Sequence, residues 1–205
     1  MSNFLKKVPK INIEKANFQD IDDWVNILHQ SLINTYAGYI SSKYMSDNYN
    51  VEQLRTRFLQ DLSTEDSNTE LYMLRLNEHT VGILKIGKPI KYYSDGHNYY
   101  KDDIEEVGEI KSLHIHRNYQ GQGIGSQAIY FAENRLRQLN YNECSIWVKM
   151  QNTNAINFYS KCGYIKTNYI NPNTNDKAPS VIMEKTLQVL AKNEQLENTN
   201  NIGSR

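Results

Sequence analysis

Val107 to Gly125 reads VGEIKSLHIHRNYQGQGIG, an apolar alternating run that passes through alternate glycines into a new periodicity. Leu113 and Ile115 alternate with polar residues, and the β-branched content of Val107–His116 fits a strand. From Ile124 onward Ile124, Ala128, Phe131, Ala132, Leu136 and Leu139 recur three and four apart, which puts them on one helical face. A helix therefore begins near Gly123. Its opening N–H groups lack internal partners and lie at its positive end, so glycines that admit a ligand to the backbone make an anion seat.

Three phosphate motifs compete for that seat. A P-loop needs Gly-Lys-Ser/Thr at its end, whereas Gly125 is followed by Ser126 and Gln127, which removes the nucleotide triphosphatase reading. A dinucleotide fingerprint is nearly met by Gly121-x-Gly123-x-x-Ser126, with Glu143 about twenty residues further on. Against it, Arg117 to Gln120 separate the strand from the glycines, and Glu143 opens the next apolar run, ECSIWV, instead of closing it.

The third motif carries a family resemblance. Gln120-x-x-Gly123-x-Gly125 resembles the Gln/Arg-x-x-Gly-x-Gly/Ala signature of the GNAT superfamily of acyl-coenzyme A N-acyltransferases. A second signature follows in register, Asn152-x-x-Ala155-x-x-Phe158-Tyr159-x-x-x-Gly163-Tyr164, similar to that family's Asn-x-x-Ala-x-x-Phe/Leu-Tyr-x-x-x-Gly-Phe. Glu109, fourteen residues before Gly123, resembles the glutamate that histone-type members keep as base. The resemblance runs from Ile11 to Leu187, its specific part from Val107 to Tyr164. Tyr164 in place of phenylalanine is a minor departure.

The remaining residues agree with one α/β domain over residues 1–190. With 205 residues, 39% apolar and 22% charged, the chain can bury a sizeable core. Lys plus Arg and Asp plus Glu number 23 each, and no basic block stands out, which argues against nucleic acid as a partner. No stretch has the length of a membrane span or follows Lys6 and Lys7 as a signal peptide would, so a cytoplasmic protein is expected. Cys144 and Cys162 lack metal or redox spacing and read as small buried residues. Ile11–Lys15 reads as a strand. Asp20 caps a helix carrying Ile21, Trp24, Val25, Leu28 and Leu32, and Asn50 with Gln53 caps a second carrying Val51, Leu54, Phe58 and Leu62. A hairpin over Leu71–Leu76 and Val81–Ile86, the motif strand and helix, CSIWV, a helix at Ala155–Cys162 and two strands at Tyr164–Ile170 and Ser180–Thr186 complete the order β-α-α-β-β-β-α-β-α-β-β. The resemblance implies the GNAT fold, a mixed sheet that splays between its fourth and fifth strands. The polar tail at 191–205 is expected to be disordered.

Acetyl-coenzyme A is the co-substrate that the resemblance implies. An ordinary amine of pKa near 10.4 is only about one part in 2,500 neutral at pH 7, so attack on a thioester calls for a proton acceptor. Glu109 is the first candidate base, with Asp102, Asp103, Glu105 and Glu106 nearby as substitutes, and the resemblance makes Tyr159 the acid that protonates the leaving thiolate. It also assigns cofactor contacts to the backbone of Leu113, His114 and Ile115, to Gln120, Gly121, Gln122, Gly123, Ile124, Gly125 and Ser126 around the pyrophosphate, and to Asn152, Ala155 and Lys161. His114 and His116 form a His-x-His pair, but two histidines without a third ligand read as ordinary strand residues, and no metal is expected.

For the acceptor, four tyrosines and five acids in Tyr92–Glu106 suit a cationic amine, although a solvated loop explains them equally well. That loop is long for the family. Trp24, Tyr36, Tyr39 and Tyr44 lie in the region that forms the acceptor pocket in this family, loosely similar to bacterial small-amine and polyamine acetyltransferases. The expected acceptor is a small primary amine such as a polyamine, attacked directly in a ternary complex. A protein N-terminal or lysine acetyltransferase and a non-catalytic coenzyme-A-binding module stand as alternatives, and a homodimer is compatible with the resemblance.

Overall fold

The structure is a computed structural model that describes residues 8–64, 69–89, 104–172 and 176–187. Seven strands form one mixed sheet in the order β1-β2-β3-β4-β5-β7-β6. They are β1 (Asn12–Lys15), β2 (Thr69–Leu76), β3 (His79–Gly87), β4 (Val107–Ile115), β5 (Glu143–Lys149), β6 (Ile165–Asn171) and β7 (Ser180–Thr186). Helices α1 (Ile21–Tyr36), α2 (Ser42–Asn48) and α3 (Val51–Ser63) precede β2, while α4 (Ile124–Gln138) and α5 (Thr153–Lys161) flank β5. Asp102, Asp103 and most of the tyrosine-rich segment lie outside the described residues, as does the tail at 191–205.

Both faces of the sheet are covered, which explains why β2 and β3 read as near-continuous apolar runs. On one face Leu74, Leu84 and Ile110 pack with Ala128 and Leu136 of α4; on the other, Met73 and Ile83 pack with Trp24 and Ile27 of α1 and Phe58 of α3. The Trp24 and Phe58 rings lie 5.2 Å apart.

Two local details differ from the sequence expectation. Asp20 stands at the start of α1 without capping it: its carboxylate accepts from the Asn17 N–H at 2.8 Å and pairs with the Arg75 guanidinium at 2.5 Å. Asn17 opens a 3-10 turn in its place. The helix α2 is additional to the expected order. Its only apolar residues are Tyr44 and Met45, and none of its side chains is fully buried, so no core-facing stripe marks it. Asn50 does cap α3, accepting from the Gln53 N–H at 3.0 Å.

The sheet divides at its centre. The parallel strands β4 and β5 pair only through Val107–Gly108–Glu109 against Glu143–Cys144–Ser145, although β4 continues to Ile115 and β5 to Lys149. Where pairing stops, β4 carries a bulge: Lys85 faces Ser112 and Ile86 faces Ile110, leaving Lys111 as the extra residue. A bulge bends and twists its strand. Ile110–Ile115 therefore stays paired to β3 on one edge, and among the described residues no strand covers its other edge.

Candidate active site

The gap between the diverging strands opens into a cavity of about 730 Å³. Its walls come from α1 (Gln30, Ser31, Asn34, Tyr36), the free part of β4 (Lys111 to Ile115), the end of β5 (Ile146 to Lys149), the glycine loop and the first turns of α4 and α5.

At one end lies the anion seat. His116 opens a 3-10 turn over Arg117–Tyr119, accepting from the Asn118 N–H, and the loop then reaches α4 through Gly121 at φ +71° and Gly123 at φ +82°. That left-handed backbone favours glycine. A Cβ at Gly123 would also sit 2.7 Å from Cγ1 of Val8. At Gly125 a Cβ would stand 3.0 Å from the Phe158 ring, so this glycine lets α5 close on α4. Gln120 braces the loop, its Nε2 donating to the Ile115 carbonyl at 2.9 Å, and Gln122 does the same to Asn118. Gln120, Gly121, Gly123, Gly125 and Ser126 line the cavity, and Gln122 does not. A Gly123→Ala substitution is expected to cost about 1–2 kcal/mol of stability, measured by urea denaturation, and to weaken coenzyme A binding in the same protein.

Two further features suit a pantetheine-type thioester. Main-chain groups on the open edge of Leu113–Ile115 have no strand to bond among the described residues, as an extended amide-bearing arm would require. Asn152 caps α5, its Oδ1 accepting from the Ala155 N–H at 3.1 Å, and it and Ala155 line the cavity. Lys161, in the last turn of α5, and Ile124, buried in the core, do not reach the lining.

Tyr159 does reach it. Its ring packs against Phe158 at 5.1 Å and Tyr164 at 5.9 Å, and the side chain is 6% exposed. Burial, reinforced by Tyr36 across the cavity, raises its pKa above the usual phenol range, so it carries its proton at neutral pH.

Glu109 lies deeper. It is buried on β4 opposite Gly87 and Ser145 and is not part of the cavity lining. Burial raises its pKa, with Lys111 and Lys85 pulling the other way. Lys111 lines the cavity, and its own pKa is lowered by burial. Lys85 is held by Asp61 of α3 at 2.6 Å. Of the substitute bases within the described residues, Glu105 pairs with Lys88, and Glu106 accepts from Asn142 at 3.1 Å.

His114 faces α1, sharing a 2.9 Å hydrogen bond between Nδ1 and the Ser31 hydroxyl, and burial pushes its pKa down to about 4. His114 and His116 do not converge on a common point, and among the described residues no group of three ligands could hold a metal. No described helix is long and apolar enough to cross a membrane.

The sequence did not single out Lys111, Lys149, Trp147 or the stripe Gln30, Ser31, Asn34. The polar side of an amphipathic helix reads as a solvated face, and only the divergence of β4 from β5 turns that face toward a cavity.

The family model of the "Acetyltransferase (GNAT) family" matches residues 31–164. The chain is 21% identical over 156 residues to a spermidine N(1)-acetyltransferase of Thermoplasma acidophilum, covering 75% of this chain and 88% of that one. Among solved structures, the PaiA N-acetyltransferase from Thermoplasma acidophilum in complex with coenzyme A superposes with a TM-score of 0.63 at 19% identity, over 86% of this chain and 99% of that one. A spermidine N-acetyltransferase from Vibrio cholerae in complex with coenzyme A and spermine gives a TM-score of 0.63 at 13% identity, over 86% and 95% of the two chains.

Proposed function

Since the chain belongs to the acetyltransferase (GNAT) family, we propose that it transfers the acetyl group of acetyl-coenzyme A to a small primary amine of the polyamine class. The observation that carries this reading is the cavity itself, where an open strand edge, a glycine-rich helix start and a protonated buried tyrosine meet. Acetyl-coenzyme A supplies an activated thioester carbonyl. The start of α4 and its loop hold the pyrophosphate, and the open edge of β4 bonds the pantetheine amides and polarises the carbonyl. Tyr159 gives its proton to the departing sulfur. Glu109 takes the proton that the amine sheds. The spermidine and spermine acetyltransferases among the similar proteins support a polyamine acceptor.

The test is release of free coenzyme A from acetyl-coenzyme A across polyamines, aminoglycosides and peptides, with cofactor affinity measured in parallel. Turnover confined to the polyamines is the expected result. Tight cofactor binding without turnover on any amine would leave a binding module, and turnover confined to peptides would make the chain a protein acetyltransferase.

A further inference from the structure

One cavity-lining residue, Lys149, belongs to an ion pair that the transfer chemistry does not use. Asp176, in the connection from β6 to β7, is buried and meets the Lys149 ammonium at 2.5 Å; Lys149 lines the cavity and also donates to the Ala178 carbonyl at 3.0 Å. We propose that Asp176 is the seat of the acceptor's second ammonium, and that Lys149 occupies this seat as an internal cation which a diamine or polyamine displaces. The proposal rests on the amine-transfer reading and extends it to a specificity determinant.

Three observations support it. A buried carboxylate needs a cation, because stripping one away leaves an uncompensated buried charge. A ligand that offers no cation therefore cannot displace Lys149, whereas an ammonium can exchange with it at little net cost. Next, the surroundings suit an alkylammonium. Tyr36 and Tyr39 stand edge to face at 5.6 Å and Tyr44 and Tyr49 at 6.1 Å, and the negative charge of Asp176 is felt at all four hydroxyls. Aromatic faces beside a carboxylate attract cations. Finally, the Tyr39 hydroxyl is buried with no hydrogen-bond partner among the described residues, a polar atom left for a ligand or water. Tyr36 and Lys149 line the same cavity as Tyr159, so the cation that holds the seat borders the chamber of the reacting end. Lys149 is the last residue of β5, and its long stem lets the ammonium swing away without moving the strand.

The experiment compares kcat/KM for butylamine, 4-aminobutanoate, 1,4-diaminobutane and spermidine in the wild type, Asp176→Asn and Lys149→Met. Asparagine keeps an acceptor for the Ala178 N–H, which Asp176 bonds at 3.0 Å, so the connection retains its shape. The wild type is expected to favour 1,4-diaminobutane over butylamine by about tenfold or more, as one added charge-assisted contact gives. In Asp176→Asn that ratio collapses toward one, chiefly through KM. In Lys149→Met the diamine KM falls. Equal wild-type use of butylamine and diamine overturns the proposal, as does a matching loss for both in Asp176→Asn or a raised diamine KM in Lys149→Met. Preference for an amine bearing a carboxylate would assign the site to Lys149 and overturn it too. Butylamine turnover without diamine preference sinks the proposal alone, whereas no turnover on any amine sinks the transfer reading with it.

Discussion

Replacing Tyr159 with phenylalanine is expected to lower kcat by about a hundredfold, the lower range for loss of a positioned general acid. Coenzyme A affinity should hold, because the ring stays packed between Phe158 and Tyr164 and only the hydroxyl leaves. The split is informative. A residue needed only for packing would lower stability and cofactor affinity together, whereas loss confined to kcat marks an interaction made in the transition state. Steady-state kinetics with direct cofactor titration measure both, and unchanged kcat would remove Tyr159 from the chemistry.

Glu109→Gln should show a second signature, in pH and in stability. With its pKa raised by burial, Glu109 becomes a base only above the usual carboxylate range, so the acid limb of kcat/KM in the wild type lies higher than an exposed glutamate would give. The glutamine variant is expected to lose about a hundredfold in rate where Glu109 is ionised and the amine is still charged, and progressively less as neutral amine accumulates at higher pH. For folding the sign is opposite. A group whose folded pKa exceeds its unfolded value contributes stability that is complete below the unfolded pKa, and that contribution is lost as pH rises through the folded one. Glutamine never ionises and keeps that contribution, so the variant should melt at or above the wild-type temperature at neutral pH, with Lys111 and Lys85 offsetting part of the gain. A slower yet equally stable protein separates a catalytic carboxylate from a structural one. A rate ratio that stays flat with pH would move the base elsewhere.

Much of the fold was readable because its signals are local. Strand alternation, the helix start at Gly123, the Asn50 cap and the stop at Gly163 (φ +90°) each need only a few neighbouring residues, and each stands where expected. What escaped depends on distance or depth. Alternation places Glu109 on a face of β4 but says nothing of how far below the cavity it lies. Nothing in the sequence joins Tyr36 to Asp176, whose charge reaches the Tyr36 phenol only because the fold brings α1 and the β6–β7 connection to the same side of the molecule. Asp20 misled for a related reason: the remote guanidinium of Arg75 claimed a carboxylate that local spacing had assigned to a cap. The ring of His114, read from the sequence as an ordinary strand histidine, is anchored on Ser31 of α1, a partner that local spacing could not name.

The bulge at Lys111 has a bearing on how this protein could be re-engineered. Ahead of it the even-numbered positions look toward α4: Ile110 packs in that core, and a Cβ on Gly108 would strike Leu136. Past it the parity inverts, with Leu113 and Ile115 packing on that core and His114 reaching across to Ser31. One strand thus obeys two codes, and a randomised library that ignores the inversion would spend half its diversity damaging the core. Confining variation to positions 112 and 114 would explore acceptor choice with the foundation intact. Deleting residue 111 would instead restore an unbroken ladder, leaving Ser112, Leu113 and His114 on their present faces but removing the bend where β4 parts from β5.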